Sequence, residues 1–166
     1  NYGLANPADP NHQWILKVRN GEKIKYGAGV NVEQAITNNV GAFLRAMTTD
    51  GRTETYAFTE ADASLSAGLS VKGGAWGRAQ DVLGFSLARN MLAGDRRDYL
   101  AAGGISFFIG DGALNYRPEN IFEGYYSWNV WKTFGLTLDY QRVQNPAYNA
   151  DRGPVHIFAV RFHAEF

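Results

Sequence analysis

The sequence has no cysteine, no long apolar segment and no net charge. The absence of cysteine in 166 residues excludes a disulfide framework and thiol chemistry, and it fits an exported protein. The most apolar stretch, residues 100–110, is short and rich in glycine, so nothing approaches the roughly 20 residues that a membrane-spanning helix needs. The 16 basic and 16 acidic residues cancel, which argues against a nucleic-acid partner held by a basic surface.

The beginning of the sequence and its overall composition give further indications. The chain starts at Asn1 without a methionine or an apolar leader. We therefore expect either that a signal sequence was removed or that this is a piece of a longer chain. Glycine is abundant, with 19 residues, and so are aromatic residues, with 4 Trp, 9 Tyr and 10 Phe. This composition is typical of a membrane β-barrel, in which only alternate strand residues need to be apolar, but soluble all-β domains share much of it.

Alternation of apolar and polar residues predicts eight antiparallel strands. Because successive side chains of a strand point to opposite sides, each segment has one aliphatic or aromatic face and one face that is small or polar. The pair Asn20-Gly21 predicts a tight hairpin turn between the first two strands. The predicted strands are residues 13–19, 23–34, 40–49, 62–72, 82–91, 120–128, 135–143 and 154–166.

The connections between these strands alternate in length. Short turns at 35–39, 73–81 and 129–134 alternate with longer, more polar loops at 50–60, 92–119 and 144–154, and the longest loop suggests a helical turn. Short turns at one end and long loops at the other are typical of an up-and-down transmembrane β-barrel. Four aromatic residues fall at the short-turn end, as in an interfacial girdle: Trp128, Trp131, Phe134 and Phe166.

Several stretches resemble one family of outer-membrane proteins, the carbohydrate-selective porins of the OprB family. The similarity extends from about residue 23 to the end and matches the C-terminal half of the family. Its most specific parts are the loop at residues 145–154 (NPAYNADRGP) and the terminus at 161–166 (RFHAEF), supported by residues 97–104 (RDYLAAGG) and 110–116 (GDGALNY).

The resemblance implies a sixteen-stranded antiparallel barrel in the bacterial outer membrane that admits sugars by passive diffusion. Residues 1–166 would then be the C-terminal half of a single barrel domain, and the constriction loop would lie in the other half. The implied protein is not an enzyme and needs no cofactor. Its expected partners are carbohydrates, outer-membrane lipid, the barrel-insertion machinery and the remaining N-terminal half of the barrel, with a homotrimer as an open option.

The polar faces of the strands supply the candidate residues for the sugar path. Their acids, bases and amides could bind sugar hydroxyls, and aromatic rings could contact sugar faces; alternatively, opposite charges on neighbouring strands could simply brace the wall. The terminal Phe166 resembles the signal that the insertion machinery reads. The candidate pore-lining residues are Glu33, Arg45, Glu123, Tyr125, Asp139, Gln141, Arg161, His163 and Glu165.

Two other classes of function stay open on the sequence alone. Glu123 and Asp139 lie on neighbouring predicted strands and could serve an outer-membrane enzyme acting on glycans or lipids as acid and base. A soluble carbohydrate-binding β-sandwich would instead bury the apolar faces against a second sheet. A metal site is not expected, because His156 and His163 differ in strand parity. Asp151 and Arg152 are expected to brace the last long loop, for instance against residues 95–98.

Overall fold

Seven antiparallel strands form one up-and-down sheet whose spatial order follows the chain. The computed structural model describes residues 2–5, 15–19, 21–54, 60–106 and 108–165. The sheet is not closed, and the first and last strands are its edges. Its strands are β1 (Gly27–Ala35), β2 (Val40–Thr49), β3 (Ala63–Gly73), β4 (Arg78–Met91), β5 (Glu119–Trp131), β6 (Phe134–Gln144) and β7 (Val155–Ala164).

The helices in the described ranges are short. Two are α-helices, α1 (Tyr2–Ala5) and α2 (Gly94–Ala101), and three are 3-10 helices at Ile15–Val18, Gly74–Trp76 and Pro146–Tyr148. Helix α2 confirms the helical turn predicted in the longest loop. Among the described residues, we find no helix with the length and apolar character needed to cross a bilayer.

The predicted first strand is wrong. Ile15–Val18 forms a 3-10 helix, while residues 11–14 and 20 lie outside the described residues. The physical reason is that Ile15 is buried in a core formed by the long loops, so its apolar character serves packing there and not a sheet. Gly21 does adopt the expected positive φ of 64°, but β1 begins only at Gly27, and no hairpin joins the two segments.

The other seven predicted strands and the alternation of their connections are confirmed. Short turns at residues 36–39, 74–77 and 132–133 join the strands at one end, and long loops at 50–62, 92–118 and 145–154 join them at the other. The strands contain 9 to 14 residues, enough for a tilted strand to cross a bilayer. Trp128, Trp131 and Phe134 lie at the short-turn end as predicted, with 6.2 Å between the ring centroids of Trp131 and Phe134. Phe166 lies outside the described residues.

The two faces of the sheet show an inverted burial pattern. The face rich in aliphatic and aromatic residues, which we call the apolar face, is open: Leu87, Phe158 and Phe162 are 63%, 79% and 72% exposed. The opposite face, which we call the polar face, is more enclosed, and Ser66 and Ser86 on it are half-buried. Since all seven strands belong to one sheet, no second sheet in the described part covers the apolar face. The described residues therefore do not form the two packed sheets that the sandwich interpretation expects.

A compact core does exist, but it lies in the loops at the long-loop end of the sheet. Tyr2 and Tyr99 pack with 5.2 Å between their ring centroids. Burial, reinforced by the nearby carboxylate of Glu119, raises the pKa of the Tyr148 phenol, which therefore stays neutral inside this core. The buried residues of the core are Tyr2, Ala5, Ile15, Leu92, Tyr99, Leu100, Ile109 and Tyr148.

Arg96 of α2 ties this loop core together. Its side chain is 0% exposed, forms an ion pair with Glu60, and donates to Asp62 Oδ1 at 3.2 Å and to Ser106 Oγ at 3.1 Å. The guanidinium also lies 5.1 Å from the centroid of the Tyr2 ring. Arg96 therefore joins two long loops and α1 through one buried cation, whose charge two carboxylates compensate.

The last long loop is braced differently from the expectation. Asp151 accepts a hydrogen bond from Asn115 Nδ2 at 2.9 Å, and Arg152 forms an ion pair with Asp111, which also accepts from Asn149 Nδ2 at 2.9 Å. Both contacts go to the loop segment that follows α2, and not to residues 95–98. The proposed partner was wrong because the loop packs beside the isolated bridge between Tyr116 and Asn149.

Replacing Arg96 with alanine should loosen the loop core, because Glu60 would keep a buried charge without its cation and Asp62 would keep only the ammonium group of Lys25, at 3.7 Å. We expect the opening free energy of this region to fall by about 3–5 kcal/mol. Hydrogen exchange at the amide of Gly104, which donates to the Tyr99 carbonyl at 2.9 Å, would measure it. The matched control is Arg117→Ala in an exposed loop position; equal exchange in both variants would contradict the role of Arg96.

Candidate functional site

The strand register places several predicted residues in one row across the polar face. Antiparallel partners share a face, so the register can be followed from strand to strand. Glu33 lies opposite Phe43, and Glu123 lies opposite Gln141. Between these pairs, β3 and β4 contribute only a glycine and a serine. The complete row from β1 to β6 is Glu33, Phe43, Gly68, Ser86, Glu123 and Gln141.

A first charged cluster lies on β1 and β2. Arg45 donates to Glu33 Oε1 at 2.9 Å and to Asn31 Oδ1 at 3.0 Å. Its guanidinium also lies 4.9 Å from the centroid of the Phe43 ring. The predicted residues Glu33 and Arg45 are thus brought together. Asn31 and Phe43 were not predicted as site residues, although their strand parity places both on the same face.

A second charged cluster lies on β5, β6 and β7. Arg161 donates to Asp139 Oδ2 at 2.5 Å and approaches Glu123 Oε1 to 3.9 Å. Gln141 Nε2 and Ser86 Oγ each donate to Glu123, both at 3.3 Å. Asp139 is only 5% exposed, and its Oδ1 atom has no hydrogen-bond partner among the described residues. Arg161 therefore connects both predicted carboxylates, as the bracing interpretation expects.

Between the two clusters, small residues form a smooth strip along β3 and β4. A Cβ atom at Gly68 would lie 2.4 Å from Cε1 of Phe43, and one at Gly84 would lie 2.3 Å from Cε1 of Tyr125. The two aromatic rings therefore lie against the wall over these glycines, because any side chain there would push them away. The strip thus presents small residues and two flat rings between charged groups.

The last two predicted residues of the polar face lie apart from these clusters. His163 is opposite Gly135 at the short-turn end, and its Nε2 lies 3.0 Å from Glu165 Oε1. Glu165 follows the end of β7, and its amide donates to the Thr133 carbonyl at 3.0 Å. His156 lies on the apolar face, and its Nδ1 atom is 2.8 Å from the Tyr140 hydroxyl oxygen. The parity argument that separated His156 from His163 is confirmed.

Comparisons with known proteins agree with this geometry. The high-pH structure of Pseudomonas putida OprB has the same fold, with a TM-score of 0.72 and 20% sequence identity over 86% of this chain and 36% of that one. The chain therefore spans about a third of the length of that structure. Comparison with curated proteins gave no significant match. A family model described as carbohydrate-selective porin, OprB family, matches residues 10–166, and the chain belongs to this family.

Proposed function

We propose that this chain forms part of the wall of a β-barrel in the bacterial outer membrane, through which carbohydrates diffuse passively. The observation that carries the proposal is the inverted burial of the sheet. Phe158 and Phe162 are exposed on one face, while Asp139 is buried on the other. Lipid is the solvent that suits such an apolar face, and a water-filled lumen suits a face of acids, bases and hydroxyls.

The open edges of the sheet support a barrel completed by further strands. Neither β1 nor β7 has a strand partner on its outer side in the described part of the chain. In hydrocarbon, each unpaired backbone N–H or C=O group costs several kcal/mol, so membrane sheets close into barrels. The remaining wall would come from the N-terminal half of the barrel, consistent with the 36% of the related structure that this chain covers.

The polar face has features that suit sugars in particular. A sugar presents hydroxyl groups at its edge and C–H groups on its ring face. The two charged clusters offer donors and acceptors for the hydroxyls, and the flat rings of Phe43 and Tyr125 offer apolar contact for the ring face. Because the acids and bases are paired with each other, neutral solutes do not meet an isolated charge along the strip.

The enzyme alternative is less well supported. A glycosidase needs one carboxyl group that can act as a proton donor beside a second carboxylate. Here Arg161 Nη2 lies 2.5 Å from Asp139 Oδ2 and 3.9 Å from Glu123 Oε1, and Gln141 and Ser86 also donate to Glu123. The contacts of both carboxylates therefore go to neighbouring residues of the wall. We therefore assign these carboxylates to the wall. We expect that the protein does not hydrolyse glycans or lipids, and that Glu123→Gln does not differ from it in this respect.

The direct test of the proposal is sugar entry through the complete protein reconstituted in liposomes. We expect swelling in solutions of mono- and oligosaccharides. The absence of both swelling and single-channel conductance would contradict the proposed function.

The orientation of the wall can be tested separately, because the chain has no cysteine. Single variants Ser86→Cys and Leu87→Cys place thiols on opposite faces of β4 at adjacent positions. In proteoliposomes, we expect a water-soluble maleimide to label Ser86→Cys and to leave Leu87→Cys largely unlabelled, because the second thiol faces lipid. Mass spectrometry measures the labelled fraction. The reverse pattern would place water on the apolar face and overturn the orientation.

The Tyr125 ring should contribute to sugar binding. We expect Tyr125→Ala to weaken the block of ion current by an oligosaccharide several-fold, because loss of aromatic stacking removes about 1 kcal/mol. Current noise or block in planar bilayers measures the apparent affinity. Tyr140→Ala on the apolar face is the matched control and should leave the affinity unchanged. An unchanged affinity in Tyr125→Ala would remove this residue from the path.

We propose that Phe166 acts in assembly, because the stretch 161–166 resembles the terminal segment that the insertion machinery reads and the family match extends to this residue. Deletion of Phe166 should lower the amount of folded barrel in the outer membrane, while the barrels that do assemble should conduct normally. Heat-modifiable migration on gels measures the folded amount. Normal barrel levels in the deletion variant would argue against recognition of this residue by the insertion machinery.

A further inference from the structure

Two arginines lie on the apolar face near the long-loop end. Arg89 is two residues before the end of β4 at Met91, and Arg142 is two residues before the end of β6 at Gln144. Both are exposed, and neither guanidinium forms an ion pair or hydrogen bond with any residue in the described ranges. Charged groups on a lipid-facing surface cost about 2–4 kcal/mol at the bilayer midplane and little near the interface, so their position at the end of the strands is significant.

The same face handles charge differently at the short-turn end. Asp81 forms an ion pair with Arg78, and it accepts hydrogen bonds from the Tyr126 hydroxyl at 2.5 Å and from the Asn129 amide at 2.9 Å. That carboxylate is fully satisfied by its own chain. The two arginines at the opposite end have no such compensation among the described residues, so the surface there carries positive charge that an anion from the surroundings can neutralise.

The register brings these two arginines to one site. Arg89 lies opposite Asn120 of β5, and Asn120 lies opposite Gln144, so Asn120 separates Arg89 from Gln144 at the end of β6. Arg142 precedes Gln144 by two residues and therefore lies on the same face. From the spacing between strands and the rise per residue, the Cα atoms of the two arginines are ~12 Å apart. Long arginine side chains can converge over such a distance on one or two anionic groups.

An apolar groove lies directly beside the two arginines. It has a volume of about 390 Å³ and is lined on its apolar side by Leu65, Leu87 and Phe122, with Arg89 and Arg142 at its rim. An aliphatic chain fits the apolar lining, and phosphate fits the guanidinium groups, which bind it in a bidentate manner. The combination of a cationic rim and an apolar groove is complementary to a lipid whose headgroup carries phosphate.

We propose that Arg89 and Arg142, with the groove below them, bind a phosphate-bearing lipid of the outer leaflet. This inference rests on the proposed membrane location, because long loops of such barrels face outward. The headgroup phosphate lies between the guanidinium groups and the amides of Asn120 and Gln144, and one acyl chain lies along Leu87 and Phe122. The bound lipid supplies the counter-charge that the described residues do not provide at this rim.

The test uses the complete barrel in neutral detergent and follows its unfolding temperature during titration with diphosphorylated lipid A. We expect the lipid to raise the unfolding temperature of the wild type by several degrees, because a ligand that binds only the folded state stabilises it. The double variant Arg89→Gln, Arg142→Gln should weaken the apparent affinity at least tenfold. Arg97→Gln, Arg117→Gln removes the same charge from the neighbouring loops and should behave as the wild type.

Further measurements identify the source of the anion and show whether the variants are misfolded. Dephosphorylated lipid A and inorganic phosphate should each give little stabilisation, and Arg89→Lys, Arg142→Lys should keep much of the effect because it keeps the charge. Equal stabilisation of the wild type and the Arg→Gln double variant would overturn the proposal, as would full stabilisation by inorganic phosphate alone. Conductance recorded on the same samples separates this outcome from a failure of the proposed pore, since lipid binding needs no open channel.

Discussion

The feature on which the rest of the structure depends is backbone hydrogen bonding around an apolar sheet that nothing in the described chain covers. Each inner strand satisfies its N–H and C=O groups through neighbours on both sides, but β1 and β7 do so on one side only. A sheet with Leu87 and Phe162 exposed cannot rest in water without losing the hydrophobic contribution to folding. In lipid, however, it cannot keep open edges. Both conditions are met in the proposed barrel, in which further strands close the wall.

In the proposed barrel the polar face would line the lumen, so it would be stabilised by contacts among its own side chains. The chain uses charge for this purpose, with Arg45 bound to Glu33 and Arg161 bound to Asp139 across neighbouring strands. It uses small residues elsewhere, so that the rings of Phe43 and Tyr125 can lie flat. The same arrangement that holds the wall together therefore keeps the surface smooth. Structural bracing and a path for neutral solutes are compatible roles for these residues.

The sequence predicted the sheet well, because a period of two needs only local information. Seven of eight strands, the alternating loop lengths and the two faces follow from it. The strand predicted at residues 13–19 was wrong for the same reason, because the prediction used only local information. A short alternation around Ile15 carries no sign that its partners are Leu92, Tyr99 and other residues far along the chain. The Arg96 cluster was missed for this reason too, since Glu60 and Asp62 lie in one loop and Ser106 lies in another, with no shared motif.

Strand parity also carried more information about the site than residue type alone. It placed Arg45 beside Glu33 and Glu123 beside Gln141 on one face, but the register across strands decided which residues meet. The register also places Arg89 and Arg142 on the apolar face, which the sequence analysis did not single out. At the short-turn end the chain neutralises Asp81 with its own Arg78 and Tyr126. The two ends of the sheet therefore differ. At the short-turn end the chain neutralises its own carboxylate, whereas at the long-loop end Arg89 and Arg142 have no partner among the described residues, and the proposed lipid would supply the counter-charge there.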